Sequence, residues 1–211
     1  KYISETVPRI IKWAHKLASG PDELLEEKIA DRAGKLKAQT AGLSHLFKKI
    51  EPLARTRRAP AKDHDLVAAI QSTLDIFEPE LRASGIEVSV ANSSGQPVSV
   101  YANEIDVFTV FSNLIENGIY WLNTCQGEKR ISFKIYLEGR QTIVEYSDSG
   151  PGFQGGNLHY MFDPGYTMKP NGTGLGLALA GEAMARSGGR IEAKHSEQGA
   201  VFEVIYKGKQ T

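Results

Sequence analysis

Cysteine is almost absent from this chain: Cys125 is the only one in 211 residues. That excludes an internal disulfide framework and suits a reducing cytosol. Charge of one sign is not in excess either. The 25 Lys and Arg residues balance 25 Asp and Glu residues, so bulk charge gives no argument for nucleic acid or an anionic membrane surface as partner. No apolar run approaches the roughly 18 residues that span a bilayer, and no signal peptide is visible. A hydrophobic share of 41% is still enough for a real core. The chain starts at Lys1, inside what reads as a helix. It is expected to be a fragment of a longer cytoplasmic or membrane-anchored protein whose other part holds a sensor or an anchor.

Residues 1–58 read as helical. Ile29, Leu36, Leu43 and Ile50 lie seven apart, with Ala33, Thr40, Phe47 and Ala54 repeating four residues later. That is a heptad stripe. Ile3, Ile10 and Leu17 form a shorter one upstream, and Ser19-Gly20-Pro21-Asp22 separates the two. The expectation is an antiparallel helical hairpin whose apolar seam is too wide for one hairpin to bury. A second copy, completing a four-helix bundle, makes the chain a homodimer. Arg57 to Lys62 then reads as a solvated linker, since Pro60 ends any helix before it.

Residues 63–211 mix helices and strands. Leu66, Ile70, Leu74, Phe77 and Leu81 have helical spacing, within a helix over Leu66 to Ala83. Ile86 to Val90 alternates as a strand, and Val98 to Tyr101 is a second. Ile105 to Leu122 is a long amphipathic helix, with Phe108, Phe111, Ile115 and Leu122 towards the core. Two hairpins follow, Ile131 to Leu137 with Thr142 to Tyr146, and Arg190 to Lys194 with Ala200 to Tyr206. A helix over Leu177 to Ser187 lies between them. The expected class is α+β: a mostly antiparallel sheet backed by helices on one face.

The most informative stretch runs from Gly165 to Leu177 and leads straight into that last helix. Glycines at 172, 174 and 176, with Thr173, Leu175 and Leu177 between and after them, let backbone amides approach an anion without a Cβ in the way. The helix start adds unpaired N–H groups and the positive end of its dipole, which together cradle phosphate. Upstream, Asn113, Asn117 and Trp121 are spaced by four and share a helix face. A carboxamide oxygen is a hard neutral ligand, and two on one face suit magnesium beside phosphate oxygens. Glu116 lies beside them, placed to orient or deprotonate an attacking group. Asp148, Gly150 and Gly152 follow a strand directly, and a short aspartate there can accept from an exocyclic amine such as adenine's. Phe162 is placed to anchor a loop, with Thr167 and Lys169 further along and Lys169 within reach of a terminal phosphate. A connection of about twenty residues before Gly172 reads as a lid over the site. His64, His159 and His195 have no metal-ligand spacing and read as non-catalytic.

These residues resemble one family. Asn113-Leu-Ile-Glu-Asn117 is similar to its N box, and Asp148-Ser-Gly-Pro-Gly152 to its first glycine box. Phe162-Asp-Pro resembles its F box, and Gly172-Thr-Gly-Leu-Gly-Leu177 its second glycine box. Order and spacing look like the catalytic ATP-binding domain of sensor histidine kinases, in the superfamily shared with DNA gyrase, MutL and the heat-shock chaperone ATPases. The resemblance implies the Bergerat fold, with ATP and magnesium as cofactors and a response regulator or phosphoacceptor domain as partner. It implies that Asn117 holds magnesium with Asn113 assisting, that Asp148 reads the adenine amine, and that Trp121 stacks on the base. Phe162 and Lys169 would then belong to the lid, and the amides of 172–177 would cradle phosphate.

Three departures stand out. Tyr120 occupies a position where the family usually has a basic residue, so either a phosphate contact is lost or Lys169 supplies it. Ser149 replaces a common asparagine. The phosphoacceptor histidine is not evident: Pro8 fits the family pattern, but Ile3 stands five residues before it, and neither His15 nor His45 has the expected surroundings. Either the acceptor lies upstream of Lys1 or the hairpin has none. An ATPase switch and a non-catalytic pseudokinase that binds ATP and regulates a partner are the alternatives to a kinase.

Overall fold

The computed structural model describes residues 60–153, 158–170 and 172–208. The hairpin over 1–58, with Pro8, His15 and His45, lies outside the described residues. So do residues 57–59, the first half of the stretch read as a linker.

The described elements run β1 (Lys62–Asp65), α1 (Leu66–Ala83), β2 (Ile86–Asn92), β3 (Ser99–Ala102), α2 (Glu104–Leu122), β4 (Lys129–Glu138) and β5 (Gln141–Asp148). A single 3-10 turn at Leu158–Tyr160 precedes α3 (Gly176–Arg186), β6 (Arg190–Lys194) and β7 (Val201–Lys207). The five-stranded sheet has the order β2-β4-β5-β7-β6. Only β2 and β4 are parallel, with Val88 opposite Ile131; the other three pairings are antiparallel. Val88, Ile131, Phe133, Val144, Tyr146, Phe202 and Val204 fall on the face that packs against the helices. Alternation along each strand leaves the opposite face to Lys134, Glu145, Glu203 and Glu192, which sit side by side across the register.

Two local readings change. Lys62, read as the end of a linker, opens β1, which pairs antiparallel with β3 in a separate two-stranded ribbon. Lys-Asp-His-Asp has no apolar alternation to announce a strand. Phe108, read as core, is only half-buried, because α2 turns Val107, Val110, Phe111 and Leu114 inward instead.

The first two helices each have a local reason to start. Asp65 caps α1, its carboxylate accepting from the Ala68 amide at 3.0 Å. Asn103 caps α2, accepting from the Ile105 amide at 2.9 Å, and Glu104 and Asp106 complement the dipole in the first turn. Helix α3 has Leu175 at its cap position and no side-chain cap. It lies close along α2 because Ala180 and Ala183 meet the core with minimal bulk. The buried Asp106 carboxylate joins the two helices by accepting from Arg186 Nη2 at 2.6 Å and Nε at 3.1 Å. This clasp ties the last residue of α3 to the first turn of α2. No helix among the described residues is long and apolar enough to cross a membrane.

Candidate functional site

The site is built from the second half of α2, the end of β5, the segment 158–170 and the start of α3. At one end stands Asp148, the last residue of β5. Its Oδ1 accepts from the Gly150 amide at 3.0 Å and the Ala200 amide at 3.1 Å. Its Oδ2 accepts from the Tyr146 hydroxyl at 3.1 Å. Burial pushes this carboxyl above its ordinary range, while the two amides and the tyrosine pull the other way. The backbone around it is tightly wound. Gly199 has φ +73°, and a Cβ there would collide with the Asp148 carbonyl. Gly152 has φ +67°, and a Cβ would lie 2.8 Å from the Gly199 carbonyl oxygen. Trp121 lies beside Gly150, with its Cβ 3.7 Å from where a side chain would begin.

At the other end, Asn113 and Asn117 occupy successive turns of α2 but different environments. Asn113 is 4% exposed. Its amide Nδ2 donates to the Thr109 carbonyl at 2.7 Å. Its Oδ1 is buried and has no hydrogen-bond partner among the described residues. That oxygen faces Gly176, the first residue of α3, 2.8 Å from where a Cβ would stand. An unpartnered acceptor thus lies against an uncapped helix start. A protein interior rarely leaves such an acceptor unsatisfied. Asn117, half-buried, accepts from Lys169 Nζ at 2.7 Å. The same ammonium stands 4.4 Å from the centre of the Tyr120 ring, and Tyr120 meets Trp121 edge to face at 5.0 Å. The Asn117 oxygen therefore already holds a cation, the lysine ammonium. The donor set fits a hard oxygen-seeking ion in company with anionic oxygens.

The intervening segment is folded on itself. Thr167 Oγ1 accepts from the Lys169 amide at 3.1 Å, the Gly172 amide donates to the Lys169 carbonyl at 3.0 Å, and the Gly165 amide donates to the Gly174 carbonyl at 3.0 Å. Phe162 packs at 6.3 Å, ring to ring, against Phe202 and beside Gly181 of α3. Leu177 packs on the core, Leu175 and Glu116 are half-buried, and Thr173 is exposed.

Three neighbours went unread in the sequence. Ala200 and Gly199, at the entry to β7, hold Asp148 from the far side. Tyr146 reaches it from within the sheet. The signal for Tyr146 was Gly118, a glycine in mid-helix that costs about 1 kcal/mol against alanine and so requires a reason.

A mixed sheet backed by helices, an acceptor at a strand end, paired asparagines on a helix and a glycine-rich helix start define a nucleotide-binding class. Residues 102–210, more than half of the chain, match the family described as histidine kinase-, DNA gyrase B- and HSP90-like ATPases. The chain belongs to that family and carries an ATP-binding domain of the histidine-kinase type. It is 25% identical over 181 residues to the sensor protein kinase PilS of Pseudomonas aeruginosa, a match covering 85% of this chain and 32% of that protein. It therefore spans about a third of that relative's length. The nucleotide-free catalytic domain of the histidine kinase ThkA superposes with a TM-score of 0.61 at 25% identity, over 70% of this chain and 95% of that one. ThkA in complex with the response regulator TrrA superposes at 0.70 and 20% identity, over 99% of this chain and 58% of that one, a likeness of fold.

Proposed function

We propose that this chain is the kinase module of a sensor histidine kinase. It transfers the γ-phosphoryl of Mg-ATP to a histidine of its own or a partner chain, and from there to a response-regulator aspartate. The observation that carries the reading is the buried, unpartnered oxygen of Asn113 against the uncapped start of α3. ThkA, solved with a response regulator, supports the choice of partner, and the heptad stripe over 29–54 supports dimerisation through the N-terminal hairpin.

On this reading Asp148 accepts the exocyclic amine of the base and Trp121 covers its ring. Asn113 and Asn117 present oxygens to a magnesium ion, and the amides of the α3 start donate to phosphate oxygens. Magnesium, when bound, neutralises charge on the transferring group. Lys169 leaves Asn117 and brings its ammonium to the phosphates, and Glu116 orients the attacking group. The protein's part is positioning and charge neutralisation, as in other phosphoryl transfers. Replacing Asn117 with Ala is expected to abolish magnesium-dependent nucleotide binding in calorimetry; unchanged affinity would sink the assignment.

The isoleucine at position 3, where the family pattern calls for histidine, favours a second reading: an ATPase switch whose acceptor is water. Incubation with γ-labelled ATP separates the two. Acid-labile, alkali-stable label on the chain marks the kinase, and free phosphate without protein label marks the switch.

A further inference from the structure

Asp148 is more than an acceptor at a strand end. A carboxylate offers roughly four lone-pair positions. Here Oδ1 takes two amide donors and Oδ2 takes one hydroxyl. Among the described residues one position remains, on Oδ2, and its direction is set by where the Tyr146 hydroxyl stands. That hydroxyl has little freedom. The Tyr146 ring is 1% exposed and wedged between Phe133, at 5.3 Å and 71°, and Phe202, at 6.0 Å and 55°. Its tip passes directly under α2 at Gly118. A Cβ on residue 118 would overlap the hydroxyl oxygen and come within 2.9 Å of Ile131 Cδ1. No carbon of the Tyr146 ring is among the atoms nearest that point. The space left by the missing side chain is filled by the hydroxyl, not by the ring.

We propose that Tyr146, admitted by the absent side chain at Gly118, positions Asp148 Oδ2 to accept one further hydrogen bond and so sets selectivity for 6-amino over 6-oxo purine nucleotides. The proposal rests on the reading of Asp148 as the group that meets the base. A 6-amino purine brings an N–H to the single open lone pair. A 6-oxo purine brings a second oxygen to it, and acceptor faces acceptor. Without the hydroxyl, Oδ2 has two open lone pairs and the carboxylate loses one of its three donors, so its orientation is less sharply defined. Tyr146 is a positioning residue: it touches Asp148, not the base.

The test is the ratio of ADP to IDP affinity, measured calorimetrically on the whole chain. Tyr146→Phe keeps the ring and its packing and removes one hydrogen bond to a charged group. The ratio is expected to fall by about tenfold through weaker ADP binding, with IDP affinity unchanged. A merely structural role would lower both affinities together and leave the ratio alone, and that result overturns the proposal. Asp148→Asn, run alongside, tests the underlying reading. If Asp148→Asn collapses the ratio and Tyr146→Phe does not, the base contact stands and the positioning role falls. If Asp148→Asn leaves the ratio intact, the base reading itself fails. Gly118→Ala provides an independent approach should Tyr146→Phe not fold, since it displaces the hydroxyl while keeping the tyrosine, and it too should lower the ratio. Thermal melting completes the cycle: Gly118→Ala is expected to destabilise the chain with Tyr146 present and to cost much less in the Tyr146→Phe background.

Discussion

The two ends of the site are built on opposite principles. Around Asp148 a carboxylate receives three donors, two from its own stretch of chain at Tyr146 and Gly150 and one from Ala200 at the entry to β7. Around Asn113 a buried carboxamide oxygen receives none among the described residues, and the neighbouring helix starts without a side-chain cap. The first end is organised before anything binds, with one Oδ2 position left open, and its shape is held by backbone contacts too close for any side chain. The second is left polar and unsatisfied, and its Asn117 oxygen is held by a lysine ammonium from another segment. The difference teaches where stability is given up for binding. Selectivity for a flat, neutral base needs a rigid acceptor, whereas a highly charged group can be met by donors and acceptors that wait for it.

Three substitutions sharpen or break this contrast. The largest effect is expected from Gly199→Ala at the organised end. The new Cβ would strike the Asp148 carbonyl at a φ that disfavours any side chain, so unfolding stability should drop by roughly 2–5 kcal/mol. A melting temperature unchanged from the parent would show that the Asp148 clamp is not rigid.

Asp148→Asn should act through pH. The folded carboxyl is raised above its ordinary value of 3.8, chiefly by burial. A raised carboxyl adds stability below its unfolded pKa, and that stability is lost as pH rises through the folded value. The ionised form is therefore a burden on the fold at neutral pH. The amide variant should be the more stable chain in urea at neutral pH, and its advantage should shrink as the pH falls towards 4. A gap that does not change with pH would mean that Asp148 is not destabilised by burial.

The smallest effect on folding is expected from Asn113→Leu. Removing an unsatisfied buried oxygen offsets the lost bond to Thr109, so stability should stay within about 1 kcal/mol of the parent or rise. Magnesium-dependent nucleotide affinity should nonetheless fall about tenfold or more. A stability loss as large as that of Gly199→Ala would erase the contrast between the two ends.

Much of the fold was legible because period and punctuation agree. Leu66 to Ala83 shows a helical stripe between Asp65 and Gly85, and its bounds match the structure. The Glu138 to Arg140 turn and the strand at Arg190 to Lys194 were readable for the same reason. β1 was not, since Lys-Asp-His-Asp carries no pattern and its pairing with β3 depends on a partner more than thirty residues away. The parallel pairing of β2 with β4 is likewise a crossover that alternation alone cannot reveal. In the site, the helical spacing of Asn113 and Asn117 put them on one face but could not separate them. α3 packs over the first and Lys169 reaches the second, and both facts come from segments fifty or more residues further along.

The sequence by itself determined the class of this protein, because four short motifs in order carry their chemistry in residue type: carboxamides, a strand-end carboxylate, an anchoring aromatic and a glycine-rich helix start. It also determined most of the helices and strands, whose periodicities are local. Only the tertiary structure decided which polar atoms are satisfied. Tyr146, Gly118, Gly199 and Ala200 surround or support Asp148 from a sheet strand, a helix and a distant loop, and the Asn113 oxygen is orphaned by a helix from another part of the chain. Satisfaction is a property of what meets in space, and no period in the sequence encodes it.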